Sequence, residues 1–233
     1  YNTSPSWSPD GTMIAFNTDR TGIEFIMTKM VYSDVPEERL IGTNSEDTAP
    51  AWSDKGIAFS SPQDHFTGEI YIVDPDGTNL RRRTENEAID WYPAWSRDGS
   101  RIAYVSGNYD DPDTLFIPSE IYVVDADGKD NRKLTDNHCS HESPTWSPDG
   151  SRIAFALKER DGNEEIYVVN VDGTNQTRIT NDDYDNRDPA WSPDGTRIAF
   201  SSNREGDNQI YLMKPDGTDQ IRLTSNRFIN PTD

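Results

Sequence analysis

Short apolar runs of three or four residues recur along the whole chain, separated by polar turn sequences. One set reads Ile14-Ala15-Phe16, Ile57-Ala58-Phe59, Ile102-Ala103-Tyr104, Ile153-Ala154-Phe155 and Ile198-Ala199-Phe200. Large residues flank a small one, as in a strand packed between two sheets. A second set reads Phe25-Ile26-Met27, Ile70-Tyr71-Ile72-Val73, Ile121-Tyr122-Val123-Val124, Ile166-Tyr167-Val168-Val169 and Ile210-Tyr211-Leu212-Met213. β-Branched and aromatic residues dominate it, again as strands require. No helical periodicity of useful length interrupts the pattern.

Each first run follows a Trp-Ser pair and a turn. The tryptophans are Trp7, Trp52, Trp95, Trp146 and Trp191, at spacings of 45, 43, 51 and 45 residues. Two residues before each stands a proline: Pro5, Pro50, Pro93, Pro144 and Pro189. The turns, such as Ser8-Pro9-Asp10-Gly11 and Ser147-Pro148-Asp149-Gly150, carry hairpin chemistry. Proline presets φ, aspartate bonds its own backbone and glycine accepts positive φ. A second Asp-Gly turn (Asp76-Gly77, Asp127-Gly128, Asp172-Gly173, Asp216-Gly217) leads to a short polar fourth strand. Five units of four antiparallel strands result, at roughly 1–46, 47–89, 90–140, 141–185 and 186–233. A period in the forties with four strands predicts an all-β fold, a five-bladed β-propeller in one domain. The alternative is part of a six-bladed ring.

Head and tail are in register, since Asn230-Pro231-Thr232-Asp233 stands where a further Trp strand would begin. Five complete copies favour a closed, monomeric five-bladed ring, because an open arc would leave two apolar blade faces in water. Copy one replaces its second turn with the irregular link Lys29 to Val35, and copy three carries an Asp- and Pro-rich insertion, Gly107 to Pro118.

Charge narrows the partners. The 233 residues carry 22 Lys+Arg against 42 Asp+Glu, a net charge of −20. Phosphate contacts need Lys and Arg, so nucleic acid and anionic membranes are disfavoured. The apolar runs span only a few residues (Ile70 to Val73, Ile121 to Val124), far short of a bilayer crossing. A basic protein face, a basic peptide or metal ions remain as partners. The single Cys139 excludes an intrachain disulfide. Tyr1 as first residue, with no leader pattern, reads as a processed or excised chain.

The motif Pro-x-Trp-Ser-Pro-Asp-Gly-x-x-Ile-Ala-Phe, then Ile-Tyr-Val, then Asp-Gly-x-Asn, resembles the TolB-type β-propeller repeat, a relative of the WD-repeat propellers. The resemblance runs from Ser4 to Thr224. It is specific for fold and weak for function, since the repeat also occurs in propellers of serine oligopeptidases and polysaccharide lyases. It implies a periplasmic or extracellular location and raises the prospect of calcium in the channel.

Candidate chemistry concentrates in the link before each Trp strand, which a propeller delivers to the channel mouth. Three residues before each proline stand Asn2, Asp47, Asp90, His141 and Asn186, with Glu142 and Asp188 beside them. Five equivalent positions around an axis would gather oxygen ligands, as a hard cation such as calcium requires. Asn2, Asp47, Asp90 and Asn186 form that candidate metal set. The same residue types also cap turns. Five of the six tryptophans occupy one repeat position and read as core. Trp91 is the exception and, with Tyr92, forms a candidate aromatic contact pair. The candidate binding set is therefore Asp47, Asp90, Trp91, Tyr92, His141, Glu142 and Asp188.

Other motifs read as structure. The Asp-Gly turns resemble the start of a calcium loop but lack its later ligands and its helices. His138, Cys139 and His141 cluster without a second cluster to complete a zinc site, and His65 is the remaining histidine. Arg20, Arg160 and Arg204 recur at one blade position, as a structural bridge would. No nucleophile elbow, metalloprotease helix or phosphate loop is present. Two readings follow. One is a non-catalytic binding module presenting its loops and channel to a protein or peptide. The other is the catalytic or gating propeller of a lyase, glycosidase or peptidase.

Overall fold

The computed structural model describes residues 2–20, 22–40, 46–63, 68–108 and 117–225. Blade one holds β1 (Asn2–Trp7), β2 (Met13–Thr18), β3 (Phe25–Met30) and β4 (Glu38–Arg39). Blade two holds β5 (Thr48–Ser53), β6 (Gly56–Ser61), β7 (Glu69–Val73) and β8 (Arg81–Arg82). Blade three holds β9 (Ile89–Trp95), β10 (Arg101–Gly107), β11 (Ser119–Asp125) and β12 (Asn131–Lys133). Blade four holds β13 (Ser140–Trp146), β14 (Arg152–Lys158), β15 (Glu164–Asn170) and β16 (Thr177–Arg178). Blade five holds β17 (Asn186–Trp191), β18 (Ile198–Ser202), β19 (Gln209–Met213) and β20 (Ile221–Arg222). Every sheet pairs its strands in chain order, antiparallel throughout. The result is a five-bladed propeller, and the described residues contain no helix. His65, residues 109–116 of the insertion and the terminal Asn230–Asp233 lie outside the described residues.

The register explains the repeat. Each tryptophan faces the first isoleucine of the next strand, as Trp146 faces Ile153 and Trp191 faces Ile198. The aromatic of the second strand faces that of the third: Phe59 with Tyr71, Phe155 with Tyr167 and Phe200 with Tyr211, at ring separations of 5.9, 6.0 and 5.7 Å. Cross-strand aromatic pairs stabilise such sheets.

Alternation then divides each blade into two apolar faces. Ala154, Ile166, Val168 and Ile179 of blade four meet Ile198, Phe200, Tyr211 and Met213 of blade five. Ala58, Ile70 and Ile72 of blade two meet Ile102, Tyr104 and Val124 of blade three in the same way. The small alanine makes room for the bulky face of the next blade. The tryptophans join blades. Trp95 Nε1 donates to the Ala51 carbonyl at 3.1 Å, and Trp146 Nε1 to the Ala94 carbonyl at 2.9 Å. The Arg101 guanidinium lies 4.8 Å over Trp146, and that of Arg152 lies 4.9 Å over Trp191. These are cation–π joints between neighbours.

The turns behave as their chemistry dictates. Asp149 Oδ1 accepts from Ser147 Oγ at 2.6 Å and from the Ser151 amide at 3.1 Å. These bonds, the Ser147 hydroxyl first, hold the Asp149 carboxyl down at about 2. The second Asp-Gly turn does more than reverse the chain. A Cβ on Gly77 would stand 2.5 Å from the Leu40 carbonyl oxygen of the preceding blade. Gly128 faces Arg83, Gly173 faces Leu134 and Gly217 faces Ile179 in the same manner.

One joint differs. Inner strands β5, β9, β13 and β17 each pack on the blade before them, and no comparable packing joins blade five to β1 among the described residues. Trp7 is 55% exposed, against 6% for Trp146. Ile210 and Leu223, whose equivalents Ile166 and Ile179 are buried in blade four, stand exposed on blade five. Among the described residues, the ring therefore has a seam.

Candidate functional site

The channel mouth is built by a repeated irregularity. Each inner strand breaks register with its neighbour: between Thr3 and Ser6, Thr48 and Ala51, Glu142 and Thr145, and Arg187 and Ala190, with the same slip in β9. The residue before each proline takes a left-handed backbone there. Ser4, Ala49, Tyr92, Ser143 and Asp188 have φ of 51°, 53°, 53°, 51° and 51°. A bulge of this kind re-aims a side chain. All five residues turn toward the axis and, with the five prolines and Glu142, line a cavity of about 400 Å³.

Three of the predicted residues meet here: Tyr92, Glu142 and Asp188. Burial pushes the Tyr92 phenol up, and the carboxylates of Glu142 and Asp188 add to the effect. Burial likewise raises Glu142; Arg187 opposes this and Asp188 reinforces it. Ser143 Oγ donates to Asp188 Oδ1 at 3.2 Å. The mouth thus holds one phenol and two acids above a collar of prolines. Such a set suits an ammonium or guanidinium group, through carboxylate hydrogen bonds and the aromatic face.

The other predicted residues lie elsewhere. Asp47, Asp90, His141 and Asn186 are fully buried and do not line the cavity. Trp91 packs against the apolar cluster shared by blades three and four rather than facing the channel. Asn2 is exposed at the start of β1. The reason is the same bulge: it turns the residue before proline inward and leaves the one three before it pointing into the blade joint.

There the buried residues meet an acid that the sequence reading did not single out. Glu69, Glu120 and Glu165 stand in the first two residues of the third strands of blades two to four, and Gln209 takes the place in blade five. Thr135 Oγ1 donates to Glu120 Oε2 at 2.6 Å, and the amides of Asn137 and His138 donate to Oε1 at 2.8 and 2.9 Å. His141 Nε2 lies 3.8 Å from the same carboxylate. Burial lowers the His141 pKa, and Glu120 opposes this. Asn186 Nδ2 donates to Glu165 Oε2 and to Asp182 Oδ1, both at 3.0 Å. The sequence carries the pattern in blades two to five: Glu or Gln precedes each Ile-Tyr pair, and a threonine stands two residues after each fourth strand (Thr84, Thr135, Thr180, Thr224).

This arrangement does not suit a calcium cage of Asn2, Asp47, Asp90 and Asn186. Arg204 Nη2 already donates to Asn186 Oδ1 at 3.0 Å, placing a fixed cation on that oxygen. Among the described residues, no three His, Cys, Asp or Glu side chains converge as metal ligands. Around Cys139, Sγ points to the Asn137 carbonyl at 3.6 Å while the His141 ring lies against Phe155. Arg204 also stacks on Tyr211 at 4.5 Å, a bridging role.

A family model described as the TolB beta propeller domain matches residues 69–232. An uncharacterized protein of Agrobacterium fabrum is 31% identical over 159 residues, 64% of this chain and 52% of that protein. The chain thus spans about half the length of that relative. The solved structure of a putative TolB from Agrobacterium tumefaciens superposes with a TM-score of 0.82 at 25% identity, covering 96% of this chain and 80% of the other. An oligogalacturonate lyase in complex with manganese shares the fold, with a TM-score of 0.72 at 17% identity over 94% of this chain and 64% of that one.

Proposed function

Because the chain belongs to the TolB beta propeller domain family, we propose that it is a non-catalytic binding module. Its channel mouth receives a lysine, arginine or terminal amine of a protein or peptide partner. The observation that carries this reading is the meeting of Tyr92, Glu142 and Asp188 at one end of the channel. The acids supply charge, the phenol an aromatic face, and the collar of prolines a rigid wall that loses no freedom on binding. A net charge of −20 steers a basic partner toward the surface. The likeness to the lyase bears on fold alone and supplies no catalytic group here. We place the module in the periplasm or outside the cell, as the family resemblance implies.

Isothermal titration with short peptides carrying a central Arg-Lys pair tests the proposal. Affinity should fall about tenfold, or about 1.4 kcal/mol, in the Glu142→Gln and Asp188→Asn double variant. It should also fall with added salt. Equal binding of a peptide with Glu-Glu at the centre would overturn the reading.

A further inference from the structure

The joints between blades place one buried polar residue against one buried acid, and the three described pairs differ in chemistry. At blades four and five the pair is neutral against charged: Asn186 donates to Glu165 at 3.0 Å. At blades three and four a histidine faces Glu120. At blades two and three both members are acids, Asp90 and Glu69, exposed by 0% and 1%.

Glu69 holds most of the donors. It accepts Arg82 Nη2 at 2.7 Å, the Asn86 amide at 3.1 Å and the Thr84 hydroxyl. Asp90 keeps little. Its Oδ2 accepts Asn86 Nδ2 at 2.8 Å. Its Oδ1 is buried, and no hydrogen bond among the described residues reaches it. A buried carboxylate oxygen without a donor is costly, and a second carboxylate nearby adds to the cost. Binding one proton removes the buried charge and its repulsion with Glu69.

The surroundings offer only partial relief: the Ser106 and Thr84 hydroxyls, like the Asn86 amide, favour the charged carboxylate, and burial outweighs them. From β7 the facing charge is Glu69, and from β8 it is Arg82, whose guanidinium is committed to Glu69. From β10 come the Ser106 hydroxyl and Tyr104, whose phenol bonds Asn131 at 2.9 Å. From β6 the Ser60 hydroxyl donates to the Asp90 carbonyl rather than to its side chain. β5 carries no titratable group, and Glu142 of β13 faces Tyr92. Glu85, in the link after β8, acts on Arg82.

We propose that Asp90 is the proton-binding group of a pH-sensitive joint between blades two and three, tight when Asp90 is protonated and weakened by like charge when it ionises. Burial, ahead of every other cause, pushes the Asp90 carboxyl up to about 6. In an unfolded chain the same group titrates near ~3.9. The fold therefore binds the proton more tightly than the unfolded chain does. The stability this confers is full below about 4 and is lost as pH rises through about 6. Asp90 stands two residues before Tyr92 on the same strand, so the joint lies directly behind the channel phenol.

Two measurements on the intact chain test this. Carboxyl carbon NMR follows Asp90 itself, and thermal unfolding from pH 4.5 to 8 compares the wild type with Asp90→Asn. The substitution copies the pair already present at Asn186, and background titrations cancel in the difference. The Asp90 resonance should titrate near 6. Asp90→Asn should match the wild type near pH 4.5 and exceed its melting temperature by about 5 °C at pH 8. An Asp90 midpoint near 4, or a constant difference between the two melting curves at every pH, would overturn the proposal. Should Asp90→Asn fail to fold, the wild-type midpoint decides alone.

Discussion

Trp146 and Trp7 share a repeat position and differ in environment. Trp146 lies beneath Arg101, bonds the Ala94 carbonyl and is 6% exposed, whereas Trp7 at the seam is 55% exposed. Trp146→Ala should therefore cost about 3–5 kcal/mol, as truncated buried aromatics do. Trp7→Ala should cost less than half as much, and denaturant unfolding of the two variants measures the contrast. Equal losses would mean that Trp7 is covered in solution. At this scale the tryptophans and turn aspartates were legible, because a residue type repeated at one position marks a shared environment. Glu69, Glu120 and Glu165 were not read. A lone acid before Ile-Tyr looks like a solvated strand end, and its burial depends on a threonine 15 residues later, as in Thr84 to Glu69.

Strands and hairpins followed from alternation and from the Asp-Gly turns, and each blade has the four antiparallel strands that the repeat implied. The turn glycines carry a second constraint that no local pattern shows. Gly217 has φ of 83° and sits so close to the Ile179 carbonyl that a Cβ has no room. Gly206, with φ of 97°, has nothing within 4 Å. Gly206→Ala should cost only the backbone term, about 1–2 kcal/mol. Gly217→Ala adds a collision between blades and should cost clearly more; matching melting temperatures would show the two turns to be equivalent. The channel bulge was also invisible in sequence. Steric contact with a following proline favours extended backbone, so nothing local announces left-handed residues at Ser4, Ala49, Tyr92, Ser143 and Asp188. That bulge sends Asp47, Asp90, His141 and Asn186 into the joints and brings Tyr92, Glu142 and Asp188 to the mouth.

Across the whole molecule, the five blades form a line of neighbours bent around an axis and, among the described residues, the joint between last and first is the loosest. Opening should begin there. Amide hydrogen exchange should release β17 to β20 and β1 first and the middle strands β10, β11, β14 and β15 last. Uniform protection around the ring would contradict the seam. Blade number and sheet order came from the period alone; the unequal joints did not, since closure depends on contacts between residues some two hundred positions apart. The left-handed collar has a further consequence, for divergence. Five cavity-lining positions share one backbone conformation that β-branched side chains rarely tolerate, and none of the five present residues is β-branched. Valine, isoleucine and threonine are thus withheld from the positions that line the channel mouth. A lineage built on this scaffold would explore new partners with a reduced alphabet of small, aromatic and acidic or amide side chains, while the joints behind the collar stay as they are.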